Sequence, residues 1–386
     1  MENRFKIPIF FIFLFSLSIS VCAQRGYLIG SGDRETSSVV KKANRKLDNN
    51  DVSGAIDVLE KAIEKKEDLF EAYLKRSFIR HYYLNEIDGA ISDLDKASEI
   101  RPDDVDVYIS RASLKKRFKK DFVGALDDYG LAQKYKPDSV ILRAFKADVR
   151  ADLNDLNGAI AEIKDGLRDY PENIDLNYRL AIFLVRKSDT DQAISHLRSF
   201  LKNYTEKRNG NLPKIRGVTV KKKIPREFKD DGSAINAILV TRYTQADLYV
   251  TSPRDFQKQM SEMIEAGQIS NVFLLAGRLL ISLDRSDEAF ENLNKALEID
   301  RNQEEAYGLR GILYLSRNNT KEAIAEFGKA IRIADVPYFY LNRGIAYLIE
   351  RNDKKAEKDF EKFLKLFPAG NTVLDQRISE AKELIK

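Results

Sequence analysis

The stretch from Tyr307 to Ala330, YGLRGILYLSRNNTKEAIAEFGKA, decides how the rest of the chain is read. Ala323, Phe327 and Ala330 stand at i, i+4 and i+7, one face of an α-helix. Upstream, Gly311 follows Tyr307 by four residues and precedes Tyr314 by three, a second helical face built round a small residue. Small residues on such faces let neighbouring helices approach closely. The stretch therefore predicts two helices, A and B, joined by a short turn and packed on each other.

The same pattern recurs outward along the chain. The helix-B alanine returns as Ala55, Ala90, Ala125, Ala159, Ala193, Ala289, Ala323 and Ala356. The first five are spaced 35, 35, 34 and 34 residues apart, the last three 34 and 33. Four residues after each stands a large side chain: Leu59, Leu94, Tyr129, Ile163, Leu197, Leu293, Phe327 and Phe360. Seven after, a small residue stands in six of eight copies, whereas Phe200 and Phe363 fill that place in the fifth and eighth. Pro102, Pro137, Pro171 and Pro368 follow twelve residues after, where a proline ends a helix. Helix A carries its own small residue at Ser77, Ala112, Ala147, Ala181, Gly277, Gly311 and Gly344, usually with an aromatic residue such as Tyr73, Tyr108 or Phe273 four before it.

These residues resemble the tetratricopeptide repeat, over roughly residues 36–207 and 270–369. The first copy is poorer, with Ala43 and Leu47 standing in for the helix-A pattern, and the fourth has Arg143 in place of the aromatic residue. The expected fold is all-α: a superhelical solenoid of about eight tetratricopeptide-type helix pairs, interrupted by a basic insertion. The resemblance implies that helices A line a groove and that the chain binds protein. It also raises a clamp of Lys, Asn and Arg gripping a peptide carboxylate, but the matching positions here do not supply that set.

The expected organisation is a signal peptide over 1–23, a flexible lead over 24–35, repeats one to five over 36–207 and a basic loop over 208–232. A degenerate helical pair over 233–269, repeats six to eight over 270–369 and a capping helix over 370–386 follow. The signal reading rests on Arg4 and Lys6, the apolar run Ile7–Val21 and the small residue Ala23 at the cut. About 15 apolar residues fall short of the roughly 20 a bilayer span needs. Cleavage there would place the chain in the periplasm or outside the cell and remove Cys22, its one cysteine. Lipidation of Cys22 is the rival reading, against which Val21 is large for the residue before a lipidated cysteine. No transmembrane span is expected in the mature chain.

One charge pattern repeats with the helices. Arg76, Arg111, Lys146, Arg310 and Arg343 precede the helix-A small residue, and Asp93, Asp128, Glu162, Glu326 and Asp359 precede the helix-B large residue of the same copies. Where the cation is missing, so is the acid: Leu180 goes with His196 and Ala276 with Asn292. A repeated ion pair between helices A and B is expected in preference to an array of cationic sites on the groove, worth about 0–1 kcal/mol each if exposed.

Two surfaces are candidates for partners. The first is a helix-A stripe of Leu274, Arg278, Ile281, Ile312, Leu315, Leu341, Ile345 and Leu348, suited to an apolar or amphipathic segment; cover by neighbouring helices would end that reading. The second is the basic loop, with Lys221, Lys222, Lys223 and Arg226 at its centre. From Glu206 to Lys229 it holds nine Lys/Arg against two acids, a local +7 beside +5 for the chain. It reads as a landing site for an acidic protein, an anionic surface or a polyanion, or as a solvated linker. Val218, Val220 and Ile224 alternate there as in a short strand.

No catalytic constellation, metal site or cofactor is expected. His81 and His196 lie in distant repeats, and no phosphate loop or nucleophile motif stands out. Bulk charge does not call for nucleic acid. The functional expectation is an exported interaction scaffold or adaptor. The alternative is a chaperone-like cell-envelope factor that holds exported clients.

Overall fold

The computed structural model describes residues 37–66, 69–215 and 253–366. The signal peptide, the lead, the capping helix, residues 216–232 with Lys221, Lys222, Lys223 and Arg226, and the start of the degenerate pair lie outside the described residues. Those that are described form sixteen helices and no β-strand.

The chain divides into two compact units, the boundary falling between Asp189 and Thr190. The first unit holds α1 (Ser38–Asp48), α2 (Val52–Glu64), α3 (Leu69–Tyr82), α4 (Ile87–Ile100) and α5 (Val105–Leu114), followed by α6 (Phe122–Tyr135), α7 (Val140–Asp152), α8 (Leu156–Asp169) and α9 (Ile174–Arg186). The second holds α10 (Thr190–Lys207), α11 (Pro253–Ser282), α12 (Ser286–Ile299), α13 (Glu304–Ser316), α14 (Thr320–Ile333), α15 (Pro337–Ile349) and α16 (Asp353–Leu366). Helices pack in sequential pairs, α1 on α2, α3 on α4, α5 on α6 and α7 on α8 in the first unit. In the second, α11 packs on α12, α13 on α14 and α15 on α16.

The small residues do what their spacing predicts. Every helix-B alanine named above is fully buried. A methyl group added to Gly311 would stand 2.6 Å from Phe327, and one added to Gly344 would stand 2.6 Å from Phe360. In these pairs the large helix-B residue sits directly on the small helix-A residue, as Leu293 does on Gly277. In the second pair Ser77 does the same job with a polar tie, its hydroxyl donating to the Ala90 carbonyl at 2.8 Å. Phe200 and Phe363, which stand where a small residue is usual, are both buried. They fall at the last copy before the break in phase and at the last described copy.

Three of the four helices B of the first unit start in one way, while before α4 Glu86 makes no side-chain cap. Asp51, Asp121 and Asp155 cap α2, α6 and α8 by accepting from the backbone N–H of Gly54, Gly124 and Gly158 at 2.8–2.9 Å. A Cβ on any of these glycines would lie within about 2.2 Å of the capping carboxylate. That close approach explains the Gly-Ala pair that opens those helices B.

Six A-to-B turns share one geometry. One residue is left-handed (Asn50, Asn154, Ser188, Asp284, Asn318 or Arg351), and the next N–H reaches back five residues, as Asp155 to Arg150 at 2.8 Å. Two turns are wider. After left-handed Asn85 and Lys120, Glu86 reaches back six residues to Arg80 at 2.8 Å and Asp121 six to Lys115 at 3.1 Å. In the third pair the extra residue turns the end of α5 into a π turn over Lys115–Lys119. These two turns hold the residue that stretches two repeats to 35.

At the expected boundary at 269/270 the structure shows α11 running unbroken from Pro253 to Ser282. No proline interrupts it beyond its first residue, and its buried side of Ala266, Ile269, Val272 and Phe273 continues across the boundary. By length and composition Ile264–Ser282 could cross a membrane, a stretch the sequence reading passed over, but 72% of it is buried in the fold.

Candidate protein-binding surfaces

The repeated charge pattern forms the ion pairs expected of it. Arg76 meets Asp93 at 2.6 Å, Arg111 meets Asp128 at 2.5 Å, Lys146 meets Glu162 at 2.9 Å, Arg310 meets Glu326 at 3.1 Å and Arg343 meets Asp359 at 2.7 Å. Four of the five acids are shielded from water. Asp93, Asp128, Glu326 and Asp359 are all buried, because helix B turns its acid toward helix A rather than outward. Each cation lies along the interface with its stem covered. These residues are therefore framework, and an array of free cations on the groove is not what they make.

The helix-A stripe splits between repeats. On α11 Leu274 and Ile281 are buried, at 7% and 8% exposure. Arg278 is not a free cation either; its guanidinium pairs with Glu305 on α13. The reading of these three positions as open contacts is thus corrected by the packing of α11, which α10, α12 and α13 all touch. On α13 and α15 the stripe stays accessible: Ile312, Leu315, Leu341, Ile345 and Leu348 are half-buried. Gly308 sets their spacing, since a Cβ there would stand 2.4 Å from the Phe339 ring on α15. The absence of a side chain lets α13 and α15 approach each other.

The described start of the basic loop is tied down rather than free. The Arg208 guanidinium pairs with Glu265 and lies 3.9 Å from the Tyr204 ring centroid. The Tyr204 hydroxyl donates to Glu265 at 2.7 Å, and burial beside that carboxylate raises its pKa well above the ordinary tyrosine value. Lys214 meets Glu298 at 3.1 Å, and the Ile215 N–H donates to the Ile299 carbonyl at 2.8 Å. Acids of α11 and α12 neutralise this part of the segment.

His81 has no metal-binding company: among the described residues no three His, Cys, Asp or Glu side chains gather as a metal site. Its ring instead stands edge-on to Phe118 at 5.2 Å. Burial, and then the nearby Arg117 guanidinium, push its pKa below the ordinary histidine value. That contact belongs to a cluster the sequence reading missed. Tyr82, Tyr83, Leu84 and Phe118 are exposed at the two widened turns, by 65%, 45%, 42% and 43%. The signal that could have found them was the 35-residue spacing of two consecutive copies.

Paired helices with small-on-large packing at a constant phase define the class. Tetratricopeptide-repeat models match residues 175–206, 270–303 and 304–336, and the chain carries tetratricopeptide repeats there. Among solved structures it is similar to a tetratricopeptide repeat protein from Parabacteroides merdae (15% identity over 82% of this chain and 98% of that one, TM-score 0.44). It is also similar to YrrB, described as a TPR protein with an unusual peptide-binding site (15%, 66% and 97%, 0.40), and to MamA from Desulfovibrio magneticus (18%, 46% and 99%, 0.37). No curated protein matches the sequence.

Proposed function

We propose that the chain is an exported scaffold that holds a protein partner on the accessible apolar row of α13 and α15. One observation carries this reading: Ile312, Leu315, Leu341, Ile345 and Leu348 remain half-buried while the equivalent residues of α11 are covered. Five apolar side chains on α13 and α15 suit an amphipathic helix or an apolar extended segment. The pairs beneath them hold the row rigid, so little ordering opposes binding. Repeats of this family are generally non-catalytic, and the reading assigns the chain no reaction.

Export rests on the signal-like run of residues 1–23, and a mature N-terminus at Gln24 in secreted or periplasmic material is its test. The basic segment around Lys221, Lys222 and Lys223 would add a salt-sensitive contact with an acidic or polyanionic surface, lost on changing all three to Glu. Ile345→Glu with Leu348→Glu in the full chain tests the row. A partner recovered from the cell envelope by the unaltered chain should lose about tenfold or more of its affinity. Unchanged affinity would remove the row from the function. A chaperone-like holder would bind many unfolded clients weakly instead of one folded partner tightly, and a titration against both distinguishes the two.

A further inference from the structure

The two widened turns of the first unit are neighbours, and they build one surface. Ser77 and Ala90 are thirteen residues apart, as are Ala112 and Ala125, where every other pair has twelve. The added residue lies in the A-to-B turn each time, as the six-residue reach of Glu86 and Asp121 shows. In pair two it carries the chain through Tyr82, Tyr83 and Leu84. In pair three it carries the chain through the π turn and Phe118. The edge contact of His81 with Phe118 joins the two turns.

The rings are organised without being buried. Phe78 and Tyr82 stack at 5.4 Å with an 11° angle between planes, and Tyr83 stands edge-on to both, at 6.0 and 5.1 Å. Tyr82 is nonetheless 65% exposed. The fold therefore spends aromatic side chains where they add little to its own core, and it holds them in fixed rotamers against one another.

Cations ring this patch. The Lys75 ammonium lies over Phe78 at 4.8 Å, and the Arg117 guanidinium over Phe118 at 5.7 Å. Lys120 sits exposed at the left-handed position of the second turn. Lys116 and Lys119, by contrast, are satisfied by Asp152 and Asp88. No carboxylate comes within ion-pair distance of Lys75, Arg117 or Lys120 among the described residues. The patch thus offers aromatic faces with unneutralised positive charge at the edge.

We infer that this surface docks an acidic linear peptide segment with an aromatic or aliphatic anchor. The rings would take the anchor, and Arg117, Lys75 and Lys120 its flanking carboxylates. Charge complementarity selects the acidic sequence, and the turn insertion, repeated in two adjacent copies and in no other, marks the place. The surface lies in the first unit, so it is separate from the α13 and α15 row. Its failure would leave the row's reading standing.

The test pans a display library of random linear peptides on the full chain and titrates the selected peptides against variants. Tyr82→Ser with Phe118→Ser removes the rings, and Arg117→Glu with Lys120→Glu reverses the charge. All four side chains are exposed, so unaltered thermal unfolding is expected and checked first. The inference predicts peptides rich in Asp and Glu around one Phe, Tyr, Leu or Ile. Each double variant should lose about tenfold or more of their affinity, while Ile345→Glu with Leu348→Glu loses none. Peptides that bind all variants equally, or that show no acidic bias, would overturn it. Vesicles of phosphatidylglycerol are the second probe: binding to them that both double variants abolish, with no peptide selected, would assign the patch to a lipid surface and overturn the peptide inference.

Discussion

Arg343 and Asp359 meet through two parallel hydrogen bonds, Nε to Oδ2 and a terminal nitrogen to Oδ1, both at 2.7 Å. The carboxylate is buried and the guanidinium half-buried between α15 and α16. Hydrogen bonding to Asp359 raises the pKa of Arg343 against the opposing cost of burial. The pair therefore stays charged inside the interface, where its fork geometry fixes how helix B lies on helix A.

Arg343→Leu alone strands the Asp359 charge and should destabilise the second unit by about 3–5 kcal/mol. Arg343→Leu with Asp359→Leu removes both charges and should cost clearly less than Arg343→Leu by itself. A double-mutant cycle from chemical denaturation checks this; strict additivity of the two single changes would contradict direct coupling.

Two helical glycines should respond oppositely to alanine. Gly130 lies in α6 with nothing within 4 Å of an added Cβ, so Gly130→Ala should stabilise by about 0.5–1 kcal/mol. Gly311→Ala puts its methyl group 2.6 Å from the Phe327 ring, and overpacking of this kind costs about 1–3 kcal/mol. Thermal midpoints of the two variants, measured side by side, should move in opposite directions.

His81 predicts a pH dependence of the first unit. Its folded pKa lies below the ordinary 6.5, through burial and then Arg117. As pH falls, the unfolded chain takes up the proton first, so the folded state loses ground. The stabilisation is complete above 6.5 and declines from there through the folded pKa. The unaltered chain should become more sensitive to urea between about pH 7 and about pH 5 than His81→Gln does, since the variant has no group there to titrate and loses the Phe118 contact equally at every pH. Parallel urea midpoints across that range would contradict it.

Glu265 anchors the segment after α10 by accepting from Tyr204 and pairing with Arg208. Arg208 and Glu265 are each about a third exposed, so water screens the ion pair and its share of stability stays within about 1 kcal/mol. Glu265→Ala should therefore lower global stability by no more than about 1–3 kcal/mol, chiefly through the lost Tyr204 hydrogen bond. Cleavage by trypsin after Lys207 and Arg208 should accelerate several-fold, because local release needs only these ties to open. Mass spectrometry of early fragments reads the difference.

The helix pairs and their internal ion pairs were legible because they depend on spacing within about 34 residues. Ala323, Phe327 and Gly311 state their own contact, since i, i+4 and i+7 share a face wherever the helix sits. The partnership of Arg343 with Asp359 was legible for another reason: five copies inside one chain vary together. The groove was legible only in part. Leu274 and Leu341 occupy the same place in their repeats, yet one is covered and the other half-open.

The sequence by itself determined the all-α pairing, the phase of the repeats and which cation meets which acid. Tertiary structure alone decided exposure: Arg278 neutralised by Glu305, the apolar stretch Ile264–Ser282 packed as a core helix, and Tyr82 and Phe118 left facing outward. Local periodicity says which face of a helix a residue shares. Whether that face meets water depends on neighbours arriving from elsewhere in the chain, and on one added residue that a turn absorbs as a wider loop in one repeat and as a π turn in the next.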